Sequence, residues 1–179
     1  MRAHTAFSAL RRTCAAAMLA LPALALAAYP EKPITIIVPF AAGGPTDVLT
    51  RVIAERMARE LAQPMIVENT PGAGGTVGNA RAARAKPDGY TVLAGNVGTL
   101  AASNSFYRKL PYDMHKDFVG IASIGDAPQI VSARKDFPPT GLEALHDYVK
   151  PQESKVTFGA AGVGSGSYLG GVLLNNALG

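Results

Sequence analysis

Short apolar runs alternate with helix-length segments through the first half of the chain, and this alternation limits the possible folds more than any other feature. Three runs rich in β-branched residues predict strands, and the longer segments between them predict helices. The predicted strands are residues 33–39, 64–68 and 90–94, and the predicted helices are residues 46–63 and 76–85. A β-α-β-α-β order is typical of a parallel sheet covered by helices, with right-handed crossovers. The sequence therefore predicts an α/β fold.

A glycine-rich loop follows each of these strands, and another occurs near the end of the chain. The first, second, third and fourth loops are residues 39–47, 72–76, 95–99 and 162–167. Each lies at or near a predicted helix start, where backbone N–H groups lack partners and the helix dipole is positive. Ligands of parallel sheets bind beyond the carboxyl ends of the strands. Several helix starts aimed at one cleft there would hold an anion such as a carboxylate.

The periodicity of the first helix predicts which of its faces is buried. Its apolar side chains fall on one face, and its charged side chains lie four apart on the other, where they form supporting pairs. The apolar set is Val48, Leu49, Val52, Ile53, Met57 and Leu61, and the charged set is Arg51, Glu55 and Arg59. This spacing is typical of an amphipathic helix.

The first 27 residues predict a cleaved secretory signal peptide, and hence export to the periplasm. Arg2, Arg11 and Arg12 give a basic start, an apolar run follows, and residues 25–27 have a small-x-small cleavage pattern. The apolar run is shorter than the roughly 20 residues that a membrane span needs. Cys14 is the only cysteine, so removal of this segment would exclude disulfides and thiolate metal sites.

The formal net charge of +4 comes largely from those three arginines, and the remaining chain carries +1. No basic patch interleaved with aromatic residues remains. Nucleic acid is therefore not expected as a partner.

Known catalytic and nucleotide-binding motifs do not fit the loops. Val77 stands where the dinucleotide motif G-x-G-x-x-G needs its last glycine, and no Gly-Lys-Ser/Thr follows as in a P-loop. Neither Ser165 nor Ser167 has the flanking glycines of a nucleophile elbow. His115 and His146 lack partners at metal-ligand spacing, so we expect them at the surface, and no catalytic residue, metal or cofactor is predicted.

The second half of the chain predicts an irregular segment followed by the start of a second lobe. Phe106, Tyr107 and Tyr112 either line the cleft or, as is more usual for aromatic residues, pack under the irregular segment, residues 104–117. Strands are predicted at residues 119–124, 129–133 and 155–158, and helices at residues 142–149 and 168–178. We expect the first lobe at residues 28–125 and an incomplete second α/β lobe at residues 126–179.

Six segments of the chain, in order, resemble the Bug-type substrate-binding receptors of tripartite tricarboxylate transporters. They are residues 29–34 (YPEKPI), 38–47 (VPFAAGGPTD), 67–75 (VENTPGAGG), 86–93 (KPDGYTVL), 109–113 (KLPYD) and 158–165 (FGAAGVGS). One such loop would be weak evidence, but the full ordered set is specific.

The resemblance implies a monomeric periplasmic-binding-protein fold whose two lobes close on a small organic acid or amino acid. The receptor would present this ligand to the membrane components of a transporter. The family's loops typically hold a ligand carboxylate through main-chain groups and bridging waters. Carried over to this chain, the implied ligand-binding residues are Phe40, Ala42, Gly43, Asp47, Gly72, Gly74, Gly75, Gly98, Thr99, Gly164, Ser165 and Ser167.

Some interpretations stay open at this stage. Asp47 is either a ligand-facing carboxylate or a first-turn acid that stabilises its helix, and the second is favoured because an acid repels an anion. Tyr168 stands where the family commonly has histidine, and the family's chains continue beyond Gly179. The alternatives to a receptor are a truncated fragment without function and an exported α/β hydrolase, although no nucleophile–base pair is evident.

Overall fold

The computed structural model describes residues 29–126, 128–152 and 155–178. The chain divides into two units, Met1–Glu31 and Lys32–Gly179, and all regular elements described belong to the second. The predicted signal peptide lies outside the described residues.

A three-stranded parallel sheet forms the centre of this unit. Its strands are β1 (Ile34–Val38), β2 (Met65–Asn69) and β3 (Thr91–Leu93), in the order β2-β1-β3. Ile36 of β1 is level with Val67 on one side and Val92 on the other. Parallel pairing brings the carboxyl ends of all three strands to one edge, which confirms the predicted sheet.

The helices are close to their predicted bounds. They are α1 (Pro45–Leu61), α2 (Thr76–Ala83), α3 (Ser103–Phe106), α4 (Leu142–Val149) and α5 (Gly166–Leu178). Short helical turns cover Ala73–Gly75, Gly98–Ala102 and Lys150–Gln152, the middle one being a π turn that leads into α3. Part of the segment predicted to be irregular is therefore helical.

The central strand forms the core of the described unit. Ile34, Ile36, Ile37 and Val38 are all buried, as expected when helices cover both faces of a parallel sheet. Ala54 of α1 completes the cluster around Ile36 and Val38.

The predicted apolar face of α1 is buried only in part, because Ile53, Met57 and Leu61 are half-buried while the rest of the set is exposed. Val48, Leu49 and Val52 are 52%, 45% and 63% exposed, whereas Asp47, Thr50 and Ala54 are buried. The fully buried side chains of this helix are therefore small or polar ones, and one of them, Asp47, accepts a hydrogen bond from Asn69 at the end of β2. The predicted charged pair of Glu55 and Arg59 is confirmed at 3.0 Å, but Arg51 bonds to Asp47 instead.

The three strands predicted in the second half are also wrong. Residues 119–124, 129–133 and 155–158 have no strand pairing among the described residues. Val119 and Ile130 are 90% and 83% exposed. A β-branched run forms a strand only where another strand satisfies its backbone groups, and no such neighbour is described beside these segments. The helices α4 and α5, in contrast, satisfy their backbone internally.

We expect Ile37→Ala to destabilise the fold by about 2–5 kcal/mol, because Ile37 is 2% exposed at the centre of the sheet. The matched control is Val52→Ala on the exposed face of α1, for which we expect a change below about 0.5 kcal/mol. Urea unfolding followed by circular dichroism measures both. Equal losses would show that the sheet centre is not the core.

Candidate functional site

The second and fourth loops touch directly through their backbones. Gly74 has φ +62, and a Cβ placed on it would overlap the carbonyl oxygen of Val163. The Tyr107 hydroxyl lies 2.9 Å from Ala73 O and 2.7 Å from Val163 O, so one phenol bonds to both loops. Glycine is required at position 74 by the close approach as well as by its φ value.

The third loop meets the fourth in the same way. A Cβ on Gly98 would overlap the backbone of Ser165 and Gly166. Asn96 holds the third loop in shape, because its Oδ1 accepts hydrogen bonds from Gly98 N at 3.0 Å and Thr99 N at 3.4 Å. Such an asparagine turn starts the helical segment at Gly98.

Thr99 closes the group by packing on the second loop. Its methyl group occupies the place of a side chain at Gly75, and its carbonyl oxygen accepts a 2.8 Å bond from Asn79 Nδ2. Asn79 is fully buried on α2, and its Nδ2 also donates to the Tyr112 hydroxyl at 3.1 Å. The second, third and fourth loops thus form one packed cluster.

The first loop is held at its base by a buried carboxylate. Asp47 is 2% exposed, and its two oxygens accept bonds from Gly43 N at 2.8 Å, Arg51 Nε at 3.0 Å and Asn69 Nδ2 at 2.9 Å. Asn69 also donates to Phe40 O at 3.0 Å. Asp47 therefore links the first loop, α1 and the end of β2, as a structural acid would.

The contacts of Asp47 stabilise its charged form. The Arg51 hydrogen bond, followed by those from Gly43 and Asn69, lowers the pKa of the Asp47 carboxyl from 3.8 to about 2. Burial opposes this shift but does not cancel it. The carboxylate is consequently ionised at neutral pH and already fully engaged by donors of the protein itself.

The predicted ligand residues divide by exposure. Those buried within the loop cluster or at its base are Asp47, Gly74, Gly75, Gly98, Thr99, Gly164 and Ser165. Those exposed or half-buried are Phe40, Ala42, Gly43, Gly72 and Ser167.

They also divide by whether the protein uses their N–H groups. The amides of Gly43, Gly75, Gly98, Thr99 and Ser165 donate to groups of the protein itself. Those of Phe40, Ala42, Asp47, Gly72, Gly74, Gly164 and Ser167 donate to no group in the described part of the chain. The second set comes from three different loops, and Ala42 and Gly72 in it are exposed.

Ser165 has a local structural role at the start of α5. It directly precedes α5, and its Oγ accepts a 3.2 Å bond from Tyr168 N, as an N-cap does. Ser167 Oγ lies 3.1 Å from the same oxygen and accepts a bond from Ala161 N at 3.0 Å. The two serines shape the fourth loop and the start of its helix.

Sequence reasoning missed Asn69, Asn79, Asn96 and Tyr107 as organisers of the loops. Asn96 had a local signal, because an asparagine two residues before a helical segment commonly forms such a turn. The other three act through contacts far apart in sequence and had no local signal.

Two hollows in the described residues lie away from the loops. One, of about 450 Å³, is between α4 and α5 and is lined by His146 and Leu174, and another, of about 240 Å³, is between α1 and β2. Residues 29–126, 128–152 and 155–178 contain no cluster of three or more candidate metal ligands. No helix in this same part of the chain is long and apolar enough to span a bilayer.

Comparison with known proteins identifies the family. Residues 49–179 match the model of the tripartite tricarboxylate transporter family receptor. This chain belongs to that family. The resemblance found in the sequence is thereby confirmed.

Individual relatives agree with this assignment. The chain is 43% identical over 84% of its length to a protein of Agrobacterium vitis encoded in the TAR-I ttuE–ttuC′ intergenic region, covering 43% of that protein. It is 36% identical over 79% of its length to BugT of Bordetella pertussis, covering 44% of it. Its structure resembles that of MatC from Rhodopseudomonas palustris with bound malate, with a TM-score of 0.80 and 42% identity over 84% of this chain and 51% of MatC. The chain thus spans about half the length of the relatives it matches.

The hydrogen bonds that Asp47 accepts from Gly43, Arg51 and Asn69 predict how the stability of the protein depends on pH. Because the pKa of Asp47 is lower in the folded than in the unfolded protein, its stabilising effect is complete above about pH 5 and is lost as the pH falls towards 2. We expect Asp47→Asn to be less stable than wild type at pH 7, and to lose less stability than wild type between these pH values. Thermal unfolding across the pH series measures this.

The matched control for Asp47→Asn is Asp136→Asn. Asp136 pairs with Arg134 at 3.0 Å on the surface, with both side chains largely exposed. It should keep the acid dependence of wild type. An Asp47→Asn variant whose stability depends on acid as that of wild type does would contradict a stabilising role for the Asp47 carboxylate.

Proposed function

We propose that this chain is the ligand-binding part of an extracytoplasmic receptor that captures a small carboxylate-bearing metabolite for a tripartite tricarboxylate-type transporter. The observation that carries the proposal is the packing of the second, third and fourth glycine-rich loops against one another, with the first loop following β1 at the same edge of the parallel sheet and unused N–H groups at Phe40, Ala42, Gly72 and Gly164. Family membership and the malate in the structure of MatC support it.

In this proposal, some loop residues bind the ligand and others hold the loops in place. Amides that the protein leaves unused would donate to the ligand carboxylate directly or through water. The other predicted ligand residues, such as Gly43 and Thr99, would hold the loops in the binding geometry. Asp47 would orient the first loop without touching the ligand, because it is buried and its oxygens already accept bonds from Gly43, Arg51 and Asn69.

The remaining features of the receptor follow from the sequence and the family. We propose a cleaved signal peptide at residues 1–27, a periplasmic location, and a second lobe that starts near residue 126. The receptor would act as a monomer and deliver its ligand to the membrane components of the transporter. It would bind without catalysis, which accords with a family of receptors.

Isothermal titration calorimetry on the purified protein tests this function. The probes are malate, longer dicarboxylates, citrate and amino acids, each monitored for product by NMR. Saturable binding of at least one carboxylate without turnover is the expected result. Product formation would favour the hydrolase alternative, and a folded protein that binds none of the probes would favour a fragment without function.

We expect Gly74→Ala to reduce carboxylate binding at least tenfold. A methyl group at this position overlaps Val163 O, so the second and fourth loops must separate. The control is Gly120→Ala, because Gly120 has open space around its Cβ position, and its binding should equal that of wild type. Unchanged binding in Gly74→Ala would show that carboxylate binding does not need the contact between these loops.

A further inference from the structure

Tyr107 bonds to two different loops through one hydroxyl group, and the proposed ligand contacts do not use it. It follows α3 directly and has an extended backbone, with φ −117° and ψ 129°. Its hydroxyl bonds to Ala73 O and Val163 O, which belong to loops far apart in the sequence. A phenol has only one proton, so the two carbonyl groups share a single donor.

The ring of Tyr107 fits the fourth loop as closely as the hydroxyl does. Its Cε2 atom lies 2.8 Å from the place where a Cβ on Gly164 would be. Gly164 has φ +85, a conformation that other residues rarely adopt. The glycine thus allows the loop to pass directly over the ring.

The preceding residue reinforces this contact. The Phe106 ring packs edge-on against the Tyr168 ring, with centroids 5.4 Å apart and planes at 78°. Tyr168 lies in the first turn of α5, immediately beyond the fourth loop. Two consecutive aromatic residues therefore contact both the fourth loop and the helix that follows it.

The surroundings of the Tyr107 hydroxyl favour its protonated form. Burial, and to a smaller extent Tyr112, raises the pKa of the Tyr107 phenol. A protonated phenol is the form that can donate to a carbonyl group. The bond is therefore present throughout the neutral pH range.

We propose that Tyr107 is a positioning residue that latches the fourth loop to the second. Its hydroxyl fixes the separation of two loops that the sequence alone leaves independent. The consequence for affinity rests on the proposed receptor function: a preset separation spares the ligand the cost of ordering the loops. A single shared hydrogen bond is weak enough to break, so the latch is reversible.

The simpler alternative is that Tyr107 only packs under the segment around it. Tyr107→Phe separates the two interpretations, because it keeps the ring and removes the hydroxyl. The control is Tyr168→Phe, which removes a hydroxyl from the same region. In the part of the chain that the structure describes, the Tyr168 hydroxyl forms no hydrogen bond.

Distance measurements between spin labels test the latch without any ligand. Arg84 and Asn175 are exposed and lie beyond the second loop and the fourth loop respectively. Cysteines at these two positions can be labelled selectively in a Cys14→Ser background, since Cys14 is the only natural cysteine. We expect one narrow distance distribution in the parent protein and in Tyr168→Phe, and a broader one in Tyr107→Phe.

Malate binding supplies the second measurement on the same variants. We expect the Kd of Tyr107→Phe to rise about fivefold, mainly through faster dissociation, and that of Tyr168→Phe to stay unchanged. If the parent protein binds no carboxylate but the distance distribution broadens in Tyr107→Phe, the latch stands and the receptor function fails. Identical distributions in the parent and Tyr107→Phe would overturn the latch, as would a Tyr107→Phe variant that is unfolded while Tyr168→Phe is folded.

Discussion

The close approach of backbones from separate loops is the constraint on which the candidate site depends. Gly74 lies against Val163, and Gly98 against Ser165, with no room for a side chain at either glycine. This arrangement places main-chain groups, not side chains, at the shared edge of the loops. In the proposed function, N–H groups whose positions are set by the fold would donate to a ligand carboxylate.

A second constraint acts at the base of the first loop. Asp47 is buried at a helix start and bonds to Arg51 and Asn69, which ties α1 to the end of β2. The face of α1 that carries Asp47 is buried, while Val48, Leu49 and Val52 remain exposed. The ionised carboxylate has its charge balanced within the protein and needs no ligand to complete it.

The first half of the fold could be predicted because its signals are local. β-branched runs such as Ile34–Val38, and glycine-rich loops before α1 and α2, indicate strands and helix starts within a few residues. Residues 119–124 carry the same local signal but form no strand, because a strand also needs a paired neighbour. The local sequence sets whether a segment prefers the strand conformation, but the segment forms a strand only where a neighbouring strand pairs with it.

The site was predictable only in part, for the same reason. The glycines were visible as a pattern, and family resemblance assigned them to ligand binding. Tertiary contacts decide which N–H groups are already hydrogen-bonded within the protein, as in the bond from Gly43 N to Asp47. The role of Tyr107 depends on carbonyl groups in two distant loops, and no spacing in the sequence indicates it.

The central claim is that N–H groups from different loops meet around one carboxylate. A titration of ¹⁵N-labelled protein with malate, followed residue by residue in NMR spectra, tests it most directly. The account predicts that the amide signals of Ala42, Gly72 and Gly164 shift together with a single Kd. Shifts confined to one loop, or separate saturation of the three signals, would contradict it.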